Sequence, residues 1–226
     1  MDSKRITVFA GHYGSGKTNI AVNYALKLRE KYDKVNIADL DIVNPYFRSK
    51  DSEKYLEEKG IHLISSEFAN SNVDVPAMPA EAYAIIDDLS IRAVVDVGGD
   101  DRGALALGRY TPAIKEQNDY EFLLVINKYR PLTPDCASTV EVMKEIETAC
   151  GMKFTGIVNN SNLGDETDEE TVLNSVDYAN GISEATGLPV RMTTVREELY
   201  DKLKDKVINC TPIRLYVRQS WARGNC

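Results

Sequence analysis

Short apolar runs alternate with stretches of helical spacing from one end of the chain to the other. Seven runs predict strands, at residues 6–10, 35–39, 61–64, 93–97, 122–126, 154–159 and 189–192. Helical stretches fill the gaps, which is the pattern of a parallel sheet with helices on both faces. Between the first two strands Ile20, Tyr24 and Leu28 recur every four residues beside Ala21 and Ala25, one apolar stripe for a helix to lay on the sheet. Ala137, Val140, Met143, Ile146 and Cys150 repeat the pattern. Thr133 reads as the N-cap of that helix, Pro134 as its first residue and Gly151 as its end. Asp165, Glu166, Asp168, Glu169 and Glu170 precede a helical stretch through Ala185, where negative charge suits a helix N-terminus. Near the C-terminus Ile213, Val217 and Trp221 sit four apart among Arg214, Arg218 and Arg223. That spacing predicts a last helix or strand packing Trp221 on the domain, in preference to a membrane-surface helix.

Composition narrows the setting. The chain has 226 residues, 43% hydrophobic and 27% charged, enough for one substantial core. No repeat or Gly/Ser-rich linker divides it, so residues 1–226 are expected to form a single domain. No apolar run approaches the roughly 20 residues that span a bilayer. The run at 6–10 is too brief for a signal-peptide core, so the cytoplasm is the expected compartment. A net charge of -8 argues against broad attraction to nucleic acid or anionic lipid, and neither nucleic-acid binding nor stable membrane anchoring is expected. Cys136, Cys150, Cys210 and Cys226 are scattered, and His12 and His62 are the two histidines. No zinc or iron–sulfur ligand set is legible, which also removes a metallochaperone.

The chemistry begins with Gly11-His12-Tyr13-Gly14-Ser15-Gly16-Lys17-Thr18, which fits the P-loop pattern Gly-x-x-x-x-Gly-Lys-[Ser/Thr] at every fixed position. It follows a predicted strand and opens a predicted helix, so consecutive backbone N–H groups can surround a phosphate chain at a helix N-terminus. Gly11, Gly14, Ser15, Gly16, Lys17, Thr18 and Asn19 are the candidate nucleotide-binding residues of this loop. Lys17 would reach the β- and γ-phosphates, and Thr18 would ligate Mg²⁺.

Two acidic strand ends complete the set. Val94-Val95-Asp96-Val97-Gly98-Gly99-Asp100 places Asp96 as a Walker B acid acting on Mg²⁺ through water, and Gly99 as a backbone donor to the γ-phosphate. Ile37-Ala38-Asp39-Leu40-Asp41 puts two carboxylates on one side of an extended segment. Asp39 would support the metal, and Asp41 would orient or deprotonate the attacking water. Lys17, Asp41 and Asp96 are thus the candidate catalytic residues, and Thr18, Asp39 and Asp96 the candidate metal ligands.

A P-loop, then Asp-x-Asp at the second strand's end, then Asp96 with its glycines resembles the CobQ/CobB/MinD/ParA nucleotide-binding group, which includes the nitrogenase iron protein. The resemblance covers nearly the whole chain. It implies an α/β, three-layer P-loop NTPase fold with a mostly parallel central sheet, and an ATP- and Mg²⁺-dependent switch with residues 44–49 as its first switch loop. A homodimer or another protein is the implied partner. One position departs from the pattern. The dimerising members carry a second lysine early in the loop, and here that position is His12, whose imidazole is no permanent cation. Arg48 and Arg102, in the two switch loops, are candidates to supply the charge.

Asn127-Lys128-Tyr129-Arg130 begins like the guanine-reading Asn-Lys-x-Asp motif but ends in Arg, which lacks the carboxylate that guanine requires. Asn159 and Asn160 follow the sixth predicted strand, where the resembling proteins read the adenine edge with an Asn, so ATP is expected. Residues 193–196 are expected to form a loop closing over the base. Two other readings stay open. One is an ATP-dependent kinase or synthetase resembling dethiobiotin synthetase or cobyrinic acid a,c-diamide synthase; the other is a regulatory module that binds ATP without hydrolysing it.

Overall fold

The computed structural model describes residues 3–40, 50–65, 83–99 and 101–216, without the side chains of 50–52 and 101–102. Asp41, Arg48 and the rest of the expected first switch, Asp100, the Arg102 side chain, Val217, Arg218, Trp221 and Arg223 lie outside what is described.

Among the described residues eight strands form one sheet: β1 (Ile6–Ala10), β2 (Val35–Leu40), β3 (Ile61–Ser65), β4 (Arg92–Val97), β5 (Tyr120–Ile126), β6 (Gly156–Asn159), β7 (Val190–Arg196) and β8 (Cys210–Ile213). Their spatial order is β3-β2-β4-β1-β5-β6-β7-β8, and each neighbouring pair is parallel. Parallel neighbours need crossover connections, and these are α1 (Lys17–Arg29), α2 (Lys50–Glu58), α3 (Ala84–Asp87), α4 (Asp101–Gly108), α5 (Thr111–Gln117), α6 (Cys136–Cys150), α7 (Glu169–Leu173), α8 (Val176–Thr186) and α9 (Glu197–Leu203).

The period of two divides the core into layers. Ile6, Val8 and Ala10 of β1 face Leu107 of α4, Ile114 of α5, Met143 of α6 and Ile182 of α8 in one cluster. Phe9 points the other way, joining Ile20, Ala21, Ala25 and Leu28 of α1 and Leu56 of α2. The stripe read for α1 is therefore its buried face, and Tyr24 sets its ring edge-on against Phe9 at 5.4 Å. A third cluster, Val172, Val195, Leu203 and Val207, fastens α7 and α9 to β7.

Several boundaries differ from the sequence expectation. The N-cap of α6 is Asp135, whose carboxylate accepts from Ser138 N at 2.9 Å, rather than Thr133. Thr133 is buried instead, its hydroxyl donating to Asn127 O at 3.1 Å to close the preceding turn. The acidic segment does open a helix, capped by Asp168 in a capping box with Thr171. That helix stops at Leu173 and α8 starts at Val176, because fully buried Ser175 is tied between them. Residues 193–196 belong to β7, not to a loop. They are paired from Thr193–Cys210 to Arg196–Ile213 with β8, the one strand absent from the sequence prediction. Pro212 hid it, since proline is tolerated in a strand chiefly at a sheet edge, where β8 lies.

Packing and capping generate two tests. Phe154 is buried and stacks on Phe122 with centroids 4.0 Å apart, so Phe154→Ala is expected to destabilise by about 3–5 kcal/mol in urea unfolding. A loss under about 1 kcal/mol would mean that the stack collapses without leaving a cavity. Hydrogen bonds from Ser138 hold the Asp135 carboxyl below the usual carboxylate range. A depressed folded-state value stabilises above the unfolded pKa and ceases to do so as pH falls through the folded one. Asp135→Ala should therefore lower the urea midpoint at pH 7, with the difference from wild type shrinking on acidification; an offset constant from neutral to acid pH counts against the cap.

Candidate functional site

The chain builds β2, β3 and β4 on one side of β1, then β5 to β8 on the other. In such sheets the crevice outside the carboxyl ends of the strands, where the order reverses, is the place a ligand fits. Residues 11–18 leave the end of β1 at that reversal. Gly16 is the N-cap of α1 at φ 90°, a left-handed conformation, and a Cβ there would stand 2.2 Å from Asn160 Nδ2. Within the loop Ser15 N donates to His12 O at 3.1 Å, and buried Lys17 reaches back with Nζ 3.2 Å from His12 O. The His12 ring is 2.9 Å through Nδ1 from Tyr13 O.

The acidic strand ends converge on this loop. Asp39 and Asp96 are register partners across β2 and β4, and both are buried. Alternation places them on the α1 face, beyond Ile37 and Val94. Thr18 Oγ1 donates to Asp96 Oδ2 at 2.6 Å. Next along that chain Gly99 approaches the loop so closely that a Cβ on it would lie 2.5 Å from Tyr13 N. Hydroxyl and carboxylate oxygens are the hard donors that Mg²⁺ takes, so the side chains brought together here fit that ion.

On the other side of the loop the amides act as a clamp. Asn160 Nδ2 donates to Ser15 O at 2.6 Å and its Oδ1 accepts from Thr194 Oγ1 at 2.5 Å, tying the P-loop to β7. The Asn159 amide is engaged too, donating to Ser175 Oγ at 2.9 Å and accepting from Ser161. Asn127, fully buried, accepts from Tyr129 N and Asn162 N, bracing the loop after β5 against the loop after β6. The Asn19 side chain accepts from Tyr216 N at 2.9 Å, holding the chain that follows β8. Thr194, Asn127 and Ser175 were not singled out for these roles, because a polar residue near a strand end shows its partner only after distant strands have been paired.

A cleft of about 610 Å³ lies between α1 and β7–β8, lined by Tyr24, Leu28, Met192 and Pro212. No residue from 11 to 18 borders it. No group of three or more His, Cys, Asp or Glu side chains suited to a metal occurs among the described residues. No helix among the described residues is long and apolar enough to cross a membrane.

This strand order with its P-loop defines the P-loop NTPase fold, and solved structures bear the same architecture. FtsY from Mycoplasma mycoides is 17% identical with a TM-score of 0.52, over 84% of this chain and 61% of that one. Chloroplast FtsY from Physcomitrella patens is 17% identical at 0.53, over 84% and 58%. The signal recognition particle 54 kDa protein from Aeropyrum pernix, solved with GDP, is 22% identical at 0.50, over 82% and 40%. This chain thus spans about three fifths of the FtsY chains and two fifths of the 54 kDa protein. No family model and no curated protein matches it. The specific likeness to the CobQ/CobB/MinD/ParA group gains no support from these neighbours beyond the shared fold.

The clamp is testable without any ligand. Thr194→Val keeps the shape but leaves the buried Asn160 carbonyl oxygen without its donor, and is expected to cost about 1–3 kcal/mol in urea unfolding. An unchanged midpoint would show that this hydrogen bond does not hold the P-loop to β7.

Proposed function

We propose that the chain binds ATP with Mg²⁺ at residues 11–18 and acts as a Mg²⁺-dependent ATPase whose nucleotide state switches its contacts with a partner. The observation that carries this reading is the 2.6 Å hydrogen bond joining Thr18, the last residue of a complete P-loop, to Asp96 at the end of β4. Bound between them, Mg²⁺ would neutralise charge developing on the phosphates. In this reading Gly11, Gly14, Ser15 and Gly16 present backbone N–H groups to the phosphates, Lys17 sets its ammonium on the β- and γ-phosphates, and Asp39 lies beside Asp96 to complete the acidic side. Gly99, packed on Tyr13, would couple the γ-phosphate to the residues that follow β4 in this reading. Asp41 remains the proposed water-orienting residue.

Adenine is favoured over guanine by the chemistry of the loops. The run ending in Arg130 has no carboxylate, and its Asn127 spends its carbonyl oxygen on two backbone N–H groups. A guanine pocket needs an acceptor pair for N1–H and the 2-amino group. GDP is bound by the 54 kDa protein from Aeropyrum pernix, so GTP is the competitor that the experiment must include. We further propose that residues 1–226 act as one domain and that the partner is a second copy or another protein.

The test is calorimetric binding of ATP and GTP with Mg²⁺, followed by hydrolysis per molecule over a wide range of protein concentration. Lys17→Ala is expected to weaken ATP binding about tenfold or more, the scale of a lost hydrogen bond to a charged group. Specific activity rising with concentration supports a site completed by a second copy. GTP binding more tightly than ATP overturns the base assignment, and binding without turnover, at any concentration, leaves a regulatory module in place of an ATPase.

A further inference from the structure

Arg130 ends the run that looks like a broken guanine reader, and the fold gives it a different neighbour. A Cβ placed on Gly14 would meet Arg130 Nε at 3.5 Å, Cδ at 3.6 Å and Cζ at 3.7 Å. The guanidinium therefore lies within van der Waals reach of the middle of the P-loop, beside Gly14. Its backbone is fixed there by two successive turns, with Arg130 N donating to Asn127 O at 3.2 Å and Thr133 N donating to Arg130 O at 3.1 Å.

The group is held in place but not satisfied. Four arginines among the described residues bury an Nε that has no hydrogen-bond partner: Arg5, Arg29, Arg130 and Arg191. Three of them are anchored otherwise. Arg5 donates to Ile85 O at 2.7 Å, Arg29 to Tyr32 O at 3.1 Å, and Arg191 is 3.6 Å from Glu121. Arg130 has no hydrogen bond or ion pair from its side chain among the described residues. The hydroxyl of Ser15, the residue after Gly14, is likewise buried without a partner among the described residues. Arg130 is half-buried and, of its donors, the Nε–H is the one buried without an acceptor; a buried donor left so is costly enough to need an explanation.

We infer that Arg130 is a phosphate-binding residue, its guanidinium joining the backbone N–H groups of the P-loop on the α- and β-phosphates of the bound nucleotide. This rests on the nucleotide-binding reading above. Gly14 lies mid-loop, where such loops cradle the α- and β-phosphates, whereas Lys17 serves the β- and γ-phosphates. The planar fork suits phosphate oxygens better than an ammonium would. Arg130 would also place within one chain a permanent cation beside a loop whose second position is His12.

The test compares ADP and ATP binding to wild type, Arg130→Ala, Arg130→Lys and Lys17→Ala at low and moderate salt, with melting temperatures of the nucleotide-free proteins. Arg130→Ala is expected to lose about tenfold or more for ADP and ATP alike, as one charged contact shared by both implies. Its affinity should also depend less on salt, because one fewer phosphate contact is formed, and Arg130→Lys should recover part of the loss. Its melting temperature should match wild type. ADP affinity within about twofold of wild type overturns the inference, as does a weakening that comes with a lowered melting temperature and an unaltered salt dependence, the signature of lost packing. If wild type and Lys17→Ala both bind no nucleotide, the reading beneath it has failed and Arg130 falls with it; wild-type binding with an indifferent Arg130→Ala sinks Arg130 alone.

Discussion

β1 is hydrogen-bonded along both edges, to β4 and to β5, and is wholly buried on both faces. A central parallel strand cannot turn back on itself, so its chain must leave at the carboxyl end, pass directly into a helix and cover the sheet. The P-loop is the turn this constraint demands, made from residues that also leave backbone donors exposed to an anion. Because β4 shares β1's register, Asp96 comes level with Phe9, one residue before the strand's end, and within reach of Thr18. The acid's position is a consequence of strand pairing rather than of any local preference.

The loop is then held from both sides by different chemistry. Toward β4 it is packed by glycine, since Gly99 lies against Tyr13 with no room for a methyl group. Toward β6 and β7 it is held by amides and hydroxyls, with Asn160 bridging Ser15 and Thr194. Buried polar groups cost stability unless partnered, and a fully partnered network fixes one geometry. A packed side and a hydrogen-bonded side together favour a site that is preorganised, with Arg130 as the conspicuous side chain whose hydrogen-bonding capacity is left unused among the described residues.

Charge follows the same division. Asp39 and Asp96 gather on the β2–β4 wing, and the cation of Arg130 lies on the β5 wing, with Lys17 between. A polyphosphate with its metal ion has a matching asymmetry, anionic along the chain and cationic at the metal, so the arrangement suits that ligand class in one orientation. The neighbouring solved structures share the architecture at low identity, and a shared fold leaves function to the side chains at its strand ends.

The sequence by itself determined the alternation of strands and helices, the P-loop and the acids that end β2 and β4, because these are local signals: a period, a glycine pattern, a carboxylate closing an apolar run. The α1 stripe and the end of α6 at Gly151, at φ 68°, are local in the same sense. What tertiary structure alone decided depends on partners far away in the chain. Thr133 lost the N-cap of α6 to Asp135 because Asn127 O claimed its hydroxyl. The expected helix through Ala185 was divided because Asn159 took hold of Ser175. Residues 193–196 became strand because β8, concealed by Pro212, pairs with them. Arg130 reads as a defect in a motif while its neighbours are only those in sequence, and acquires its place beside Gly14 when β1 and β5 come together.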